Sequence, residues 1–473
     1  MSQGLNKIHE DGIQPGRASS RSAGDAAGRV VHLIETVTRA PSPVRIRAWD
    51  GSEAGVSDAV IAITLNSPRA IRHLLWQPNE LGAARAYVCG DADLEGPAGR
   101  SLADSLADPR LGSIVNLNRS TGLRRLLIAT QTAHLALRLA GLGTRPAPPP
   151  EEASLHGRRH RRRRDAAAIS HHYDVSNDFY RLLLGETMVY SCAYWKADPG
   201  PMYNVLDAQQ DKLDLVCGKL GLARGDRLLD VGCGWGALVL HAAREYGVRA
   251  VGVTVSAAQE IIARQRVQDA GLASRVEIRR CDYRDIDDGP YDSIASVGMA
   301  EHVGRHRFRE YAEQISNLLA PGGRLLQHQI TTPRPRPRDT GRFISRYIFP
   351  DGDLRPLSEI IAWLEHAGLE TCDLEALRPH YALTLRAWLD RLEHDWPATV
   401  ELTSPARARA WRLYLAGSAA AFTTGRIGVH QIVAIKPTRS AVYPLPRLRS
   451  DWLPVSGSSR VHRMPSAPNS GRH

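Results

Sequence analysis

An α/β fold built on a doubly wound sheet, preceded by a small α+β N-terminal domain, is what this 473-residue sequence predicts. Three observations carry the prediction. Leu228-Leu-Asp-Val-Gly-Cys-Gly-Trp-Gly236 reads as a strand and a tight glycine turn, and Ala237-Leu-Val-Leu-His-Ala-Ala-Arg244 continues it as a helix. From there to residue 329 strand-like and helix-like patterns alternate, and right-handed crossovers between such elements wind a mainly parallel sheet with helices on both faces. Gly141-Leu-Gly-Thr-Arg-Pro-Ala-Pro-Pro-Pro150 and the charged run behind it mark 141–165 as a linker between two domains.

In chain order, residues 1–28 are rich in Ser, Gly and Ala and read as a disordered tail. A domain over 29–140 follows. It shows strand-like alternation in Val44-Arg-Ile-Arg-Ala-Trp-Asp50 and Asp58-Ala-Val-Ile-Ala-Ile-Thr-Leu65, then helical spacing from Ser67 to Trp76 and from Thr121 to Ala140. No catalytic constellation stands out there, so packing or lipid capture is its expected role. After the linker, Ile169–Tyr180 and Glu186–Trp195 are polar and aromatic, too irregular for a core element, and placed where a lid over a ligand would sit. The sheet domain spans 166–437. Its elements are a strand at 228–231, a helix at 236–246, a strand at 248–254, a helix at 257–270, strands at 276–280 and 291–297, a helix at 307–319 and a strand at 323–329. Between Thr331 and Leu357 the pattern lapses, and basic and aromatic residues interleave as they would beside an acyl chain with a phosphate head, or in a plain surface loop. Helices from Leu357, Tyr381 and Ser404 and a strand at Val429–Ile435 close the domain, and 438–473 reads as a flexible basic tail.

Composition narrows the function classes. A net charge of +11 favours a polyanionic partner, and much of the charge lies in Arg158-Arg-His-Arg-Arg-Arg-Arg164. That run is a solvated linker or a contact for anionic lipid headgroups. Nucleic acid is disfavoured, because no aromatic residues interleave with the arginines as stacking platforms. No apolar run approaches the ~18 residues of a membrane span, and the N-terminus lacks a signal-peptide core. A cytoplasmic protein touching the inner face of the membrane is expected. Six cysteines without a C-x-x-C pair point to reduced thiols and to no metal site.

Ligands of a doubly wound sheet gather at the carboxyl ends of its strands. Gly232, Thr254, Asp282-Tyr-Arg284, Met299-Ala-Glu-His302 and His328 all fall there. The glycine turn suits an adenosyl ligand lying against bare backbone at a helix N-terminus. Gly232, Gly234 and Ala237 also fit a dinucleotide fingerprint, which expects a ribose-binding acid about 20 residues later. The strand Val248–Thr254 instead runs into Thr254-Val-Ser-Ala-Ala-Gln259 with no carboxylate. The acid precedes the glycines, at Asp230, an arrangement that resembles the S-adenosylmethionine (SAM) methyltransferases of class I. An NAD-dependent oxidoreductase is the disfavoured alternative.

Further motifs carry a narrower resemblance. His172-Tyr-Asp-Val-Ser-Asn-Asp-Phe-Tyr180, Tyr190-Ser-Cys-Ala-Tyr-Trp195, Gly298-Met-Ala-Glu-His-Val-Gly304, Tyr347-Ile-Phe-Pro350 and Tyr414-Leu-Ala-Gly-Ser-Ala-Ala-Ala-Phe422 resemble the cyclopropane-fatty-acyl-phospholipid synthase and mycolic acid cyclopropane synthase family, from about His171 to Ile435. Asn79–Gly96 is similar, less specifically, to the N-terminal domain of its full-length members. The resemblance implies SAM-dependent methyl transfer to the cis double bond of unsaturated acyl chains in phospholipids, with a bound bicarbonate as base. It implies that Cys192, Glu301, His328 and Tyr381 hold the bicarbonate, with a backbone contribution near Val297. For SAM it implies Tyr190 and Ser191 above the ligand and Asp230, Gly232, Cys233 and Gly234 at the turn. Thr254 and Gln259 would serve the ribose, and Asp282, Tyr283 and Arg284 the adenine. Tyr194, Trp195 and Phe349 would face a carbocation.

Each assignment has a plainer competitor: a buried thiol for Cys192, a helix cap for Glu301, a core histidine for His328, a core tyrosine for Tyr381. Ser418 stands where many members have a cysteine, which argues against a covalent role there. The resemblance leaves open a methylene branch, reducible to a methyl branch by a partner reductase, in place of the ring. It also leaves open a homodimer and a non-catalytic lipid-binding role.

Overall fold

The computed structural model describes residues 25–112, 130–131, 133–135, 137–139, 144–153, 164, 176–333, 341–438 and 445–452. The chain divides into two compact units, Met1–Arg100 with Asp108–Pro146, and Ser101–Ala107 with Ala147–His473.

The first unit holds a four-stranded sheet in the order β2-β1-β3-β4, with β1 Val44–Arg47, β2 Glu53–Gly55, β3 Ile61–Leu65 and β4 Ala92–Glu95. The expected strands at 44–50 and 58–65 and the helix at 67–76 are present in shortened form, the helix as Arg69–Trp76. Two helices were not anticipated, Ala26–Thr38 and Glu80–Val88. The first corrects the tail assigned to 1–28: Asp25 caps it, its carboxylate accepting from the Gly28 N–H, and Ala26 and Ala27 are buried. Most of the helix expected between Thr121 and Ala140, and residues 1–24, lie outside the described residues.

The second unit is built on an eight-stranded sheet ordered β11-β12-β9-β8-β5-β6-β7, with β10 beside β9. The strands β5 Arg227–Val231, β6 Arg249–Thr254, β7 Val276–Arg280, β8 Tyr291–Val297 and β9 Leu319–Thr332 pair in parallel, as a doubly wound sheet requires. The strand order reverses between β5 and β8, and ligands of such folds gather at that switch point. Beyond β9 the sheet turns antiparallel, through β12 Gly428–Ile435 and β11 Glu370–Ala376; the short β10 is Arg355–Pro356. Because side chains alternate across a strand, Leu228 enters the apolar layer shared with the Val205–Leu220 helix while Leu229 enters the layer under Phe308 and Tyr311. Both faces of the sheet are therefore covered. Among the described residues no helix is long and apolar enough to cross a membrane.

Three expectations of irregular chain need correction. The linker 141–165 is docked at its described end. Ala153 is buried and its N–H donates to the Arg346 carbonyl, Ser404 Oγ donates to Glu151 at 2.8 Å, and Arg164 is clamped on Asp351. In the tail 438–473, Leu445 is buried and a 3₁₀ turn at Arg449–Trp452 sets Arg449 against Asp373 and Glu375. Of the segment expected as a lid, residues 169–175 lie outside the described residues, and much of the rest is core. Its Asn177–Leu184 helix buries Phe179, Tyr180, Leu183 and Leu184, and Cys192 and Ala193 are fully buried. Polar partners on neighbouring helices make an irregular, aromatic sequence a satisfactory core segment.

Candidate active site

A cavity of about 310 Å³ opens at the carboxyl ends of β5, β6 and β8. The sequence of the glycine turn shapes its floor. Gly232 has φ +87°, left-handed backbone that costs a side-chain-bearing residue energy, and a Cβ there would lie 2.8 Å from the Met299 side chain. Bare backbone thus faces the cavity where the helix at Ala237–His241 begins.

All eleven residues expected at the cofactor line this cavity: Tyr190, Ser191, Asp230, Gly232, Cys233, Gly234, Thr254, Gln259, Asp282, Tyr283 and Arg284. Thr254 Oγ1 donates to Gln259 Oε1 at 2.7 Å, which fixes the amide and leaves its NH₂ to donate, the opposite polarity to the carboxylate it replaces. Asp282 is held in a two-point ion pair by Arg284, at 2.7 and 2.6 Å. The Arg284 guanidinium lies 5.3 Å from the centre of the Tyr283 ring.

Asp230 is fully enclosed, and burial pushes its carboxyl up to about 7, against a nearby Lys212 that pulls it down. Lys212 also lines the cavity and was missed in the sequence. Burial presses its amine down to about 8, opposed by Asp230, and its Nζ donates to Ser191 Oγ at 3.1 Å. A signal for it existed: in the Val205–Leu220 helix the buried stripe of Val205, Ala208, Gln209, Lys212, Leu213, Val216 and Lys219 carries two lysines seven residues apart, an unusual pair on an apolar face. Gln209, on the same stripe, donates to the Ser191 carbonyl at 2.9 Å, so this helix holds the Tyr190–Cys192 strip in place.

The four residues expected to be catalytic do not line the cavity. They are buried beside it. Cys192 lies against the start of the Arg378–His394 helix: its Sγ is 3.7 Å from the Leu377 carbonyl and 3.2 Å from that of Ala193. Its single S–H is thus engaged by backbone, and burial pushes the thiol well up, so it is no nucleophile. Tyr381 stands one turn into that same helix and packs on Phe422. Thr384 Oγ1 accepts from the Ala193 N–H and the Trp195 indole at 3.1 Å each, tying helix and strip together.

Glu301 belongs to a 3₁₀ turn, Ala300–His302, and does not cap the following helix, whose N-cap is Gly304. Its Oε1 accepts from the Ile330 N–H at 2.8 Å, while Oε2 is buried with no partner, and burial raises the carboxyl to about 7. His328 sits in β9, one strand from Val297, with Nε2 likewise buried and unpartnered. Burial, with Lys212, Lys219 and His430 adding to it, drives its imidazole down to about 3. Each of these two buried polar atoms is left without a partner, as a site awaiting a polar ligand or water would leave it.

None of the three aromatic residues expected to face a cation is in the cavity lining, although Phe349 packs on His302, which is. Tyr194 stacks on His380 at 4.8 Å, Trp195 is tied to Thr384, and Phe349 packs edge-on to Tyr414. Tyr190, which does line the cavity with Trp235 and Tyr283, is packed with Tyr180, Trp388 and Trp411 and hydrogen-bonded to the Tyr414 hydroxyl at 3.0 Å. Ser418 is half-buried and away from the cavity lining.

The family model for mycolic acid cyclopropane synthetase matches residues 160–432. A probable fatty acid methyltransferase of Pseudomonas putida is 40% identical over 86% of this chain and 96% of its own length. A tuberculostearic acid methyltransferase of Mycobacterium tuberculosis is 42% identical over 57% of this chain and 64% of its own, and a cyclopropane-fatty-acyl-phospholipid synthase of Escherichia coli 39% identical over 55% and 66%. Among solved structures, a mycolic acid cyclopropane synthase complexed with SAH and CTAB matches with a TM-score of 0.54 at 34% identity, covering 57% of this chain and 98% of that one.

Proposed function

This chain belongs to the mycolic acid cyclopropane synthetase family of SAM-dependent methyltransferases, and from that premise we propose that it methylates the cis double bond of unsaturated acyl chains in phospholipids and closes the product to a cyclopropane ring. The observation that carries this reading is that Glu301 Oε2 and His328 Nε2, on two of the residues expected to hold the anion, are each buried without a partner, while the eleven residues expected at the cofactor line one cavity. When bound, SAM supplies an electrophilic methyl group and a bicarbonate anion supplies a base. An alkene has no proton to lose before it attacks. The demanding step comes afterwards, when a proton leaves the new methyl group of the carbocation as the ring closes.

The chain's own residues bind, orient and exclude water. Asp230 and Lys212 set opposite charges in the cavity, which suits the zwitterionic amino-acid end of SAM. The Gln259 NH₂, left over by the Thr254 contact, would donate to a ribose hydroxyl, and Gly232 would let the ligand approach the backbone. Glu301 would accept a hydrogen bond from the bicarbonate hydroxyl, and His328 and Tyr381 would donate to its oxygens. Cys192, with its thiol turned to carbonyls, contributes shape and dryness. Dryness matters, because water would quench a carbocation.

One observation favours a second outcome of the same methyl transfer. One relative matched over 96% of its own length is named a probable fatty acid methyltransferase, and another a tuberculostearic acid methyltransferase. In that case the cation loses its proton after a hydride shift, giving a methylene branch. The net charge of +11 supports substrate reached at an anionic membrane surface.

The test is incubation of the purified protein with SAM, bicarbonate and vesicles of monounsaturated, partly anionic phospholipid, followed by mass spectrometry and proton NMR of the acyl chains. Upfield ring protons are expected. Terminal-alkene protons on a chain one carbon heavier would establish the branch, and unchanged chains would overturn the proposed acceptor.

A further inference from the structure

Side chains directly opposite one another across a sheet share a face. Glu375 of β11 pairs with Gln431 of β12, and Gln431 pairs with His328 of β9, so the three form one row. The Val205–Leu220 helix brings Lys219 to this row. Its Nζ, on a side chain 1% exposed, donates to Glu375 Oε2 at 2.5 Å and to Gln431 Oε1 at 2.7 Å, with Asp373 Oδ2 at 3.8 Å.

An ammonium has donors and no acceptor. Gln431 must therefore turn its oxygen to Lys219, and its NH₂ faces His328 Nδ1 at 3.2 Å. An NH₂ donates, so Nδ1 accepts through its lone pair. A neutral imidazole whose Nδ1 accepts carries its hydrogen on Nε2. That is the atom left buried and unpartnered.

We propose that Lys219 and Gln431 are positioning residues that lock His328 in the tautomer protonated at Nε2, making it a hydrogen-bond donor and excluding it as the base. The depressed imidazole pKa, due first to burial and then to Lys212, Lys219 and His430, agrees with a ring that stays neutral. The row divides the labour at the site: His328 presents a donor suited to an anionic oxygen, and Glu301 presents the acceptor. The proposal rests on the functional reading only for the identity of that anion. The tautomer follows from the row alone.

The experiment is long-range ¹H–¹⁵N correlation NMR of the full chain with ¹⁵N-labelled histidines, the His328 ring being assigned by its loss in His328→Asn. In the native protein Nε2 is expected to carry the hydrogen. A hydrogen on Nδ1 would overturn the proposal without any variant being made. Gln431→Glu places an acceptor beside Nδ1 while keeping one for Lys219, so the ring is expected to switch to the Nδ1–H form. Turnover should then fall by about a hundredfold, the scale lost when one well-placed donor is removed, with SAH affinity and Tm little changed. A ring that switches while turnover is kept would overturn the functional role. The native tautomer and its switch, seen in a protein that leaves phospholipid unchanged, would uphold the row and count only against the proposed substrate.

Discussion

At Glu301 a single buried carboxyl links stability to chemistry. Burial raises it from 4.5 to about 7, so between those values the native chain holds a proton that the unfolded chain has released. Its contribution to stability is full below the lower value, falls as pH rises through the window, and adds no further slope above about 7. Glu301→Gln is expected to remove that slope, raising stability at about pH 8 by on the order of 1–3 kcal/mol relative to the parent, as melting across pH would show. The same substitution should abolish methyl transfer and leave SAH binding intact, since Glu301 is not in the cavity lining. Undiminished turnover would sink the mechanism. Lys212 has the opposite sign for stability, because between about 8 and 10.5 the unfolded chain holds the proton that the native chain has released, so stability rises with pH across that window. Its ammonium, lowered to about 8 by burial, is lost as pH rises past that value, and SAH affinity should decline with it. Lys212→Met should weaken SAH at neutral pH about tenfold, ~1.4 kcal/mol, by calorimetry.

Elements turn such residues into a site. The glycine turn after β5 is the clearest case, because strand, turn and helix each have a sequence signature and all three appear in the fold at nearly the expected residues. Gly232→Ala would meet two obstacles together, a left-handed φ of +87° and the Met299 side chain 2.8 Å away. SAH binding should be lost, and stability should drop by roughly 1–2 kcal/mol, the usual cost of left-handed backbone for a residue with a Cβ. Other elements were less legible. The Val205–Leu220 helix escaped notice because two lysines and a glutamine interrupt its buried stripe, and those interruptions are its functional groups. β11 carries little apolar alternation because its partly exposed acids serve Lys219 and Arg449, so it too lacked a strand signature.

For the whole molecule, sequence order and structural unit do not coincide. The short Leu102–Leu106 helix, from the stretch expected to belong to the N-terminal domain, is part of the unit that holds the active site. It packs on the Pro405–Thr423 helix, and Asp104 accepts from Arg386 at 2.7 Å. Leu102 is 2% exposed, so Leu102→Ala in the full chain should lower the stability of the catalytic unit by about 2–5 kcal/mol, as truncations of buried leucine do. SAH identifies which unit is melting, because a ligand raises only the transition of the unit that binds it. The SAH-shifted transition is expected to move down; movement of the other transition alone would refute the assignment.

By itself the sequence determined what depends on neighbours along the chain. It set the alternation of strand and helix, the glycine turn, the acid at its start and the residues gathered at strand ends, because backbone period and turn chemistry are local properties. The tertiary structure decided what depends on residues far apart. It placed Lys212 among the residues that line the cavity, turned the Cys192 thiol to carbonyls, left Glu301 and His328 each with one orphaned atom, and joined Lys219 to His328 through Gln431. Burial, protonation state and tautomer are set by surroundings that only the folded chain assembles.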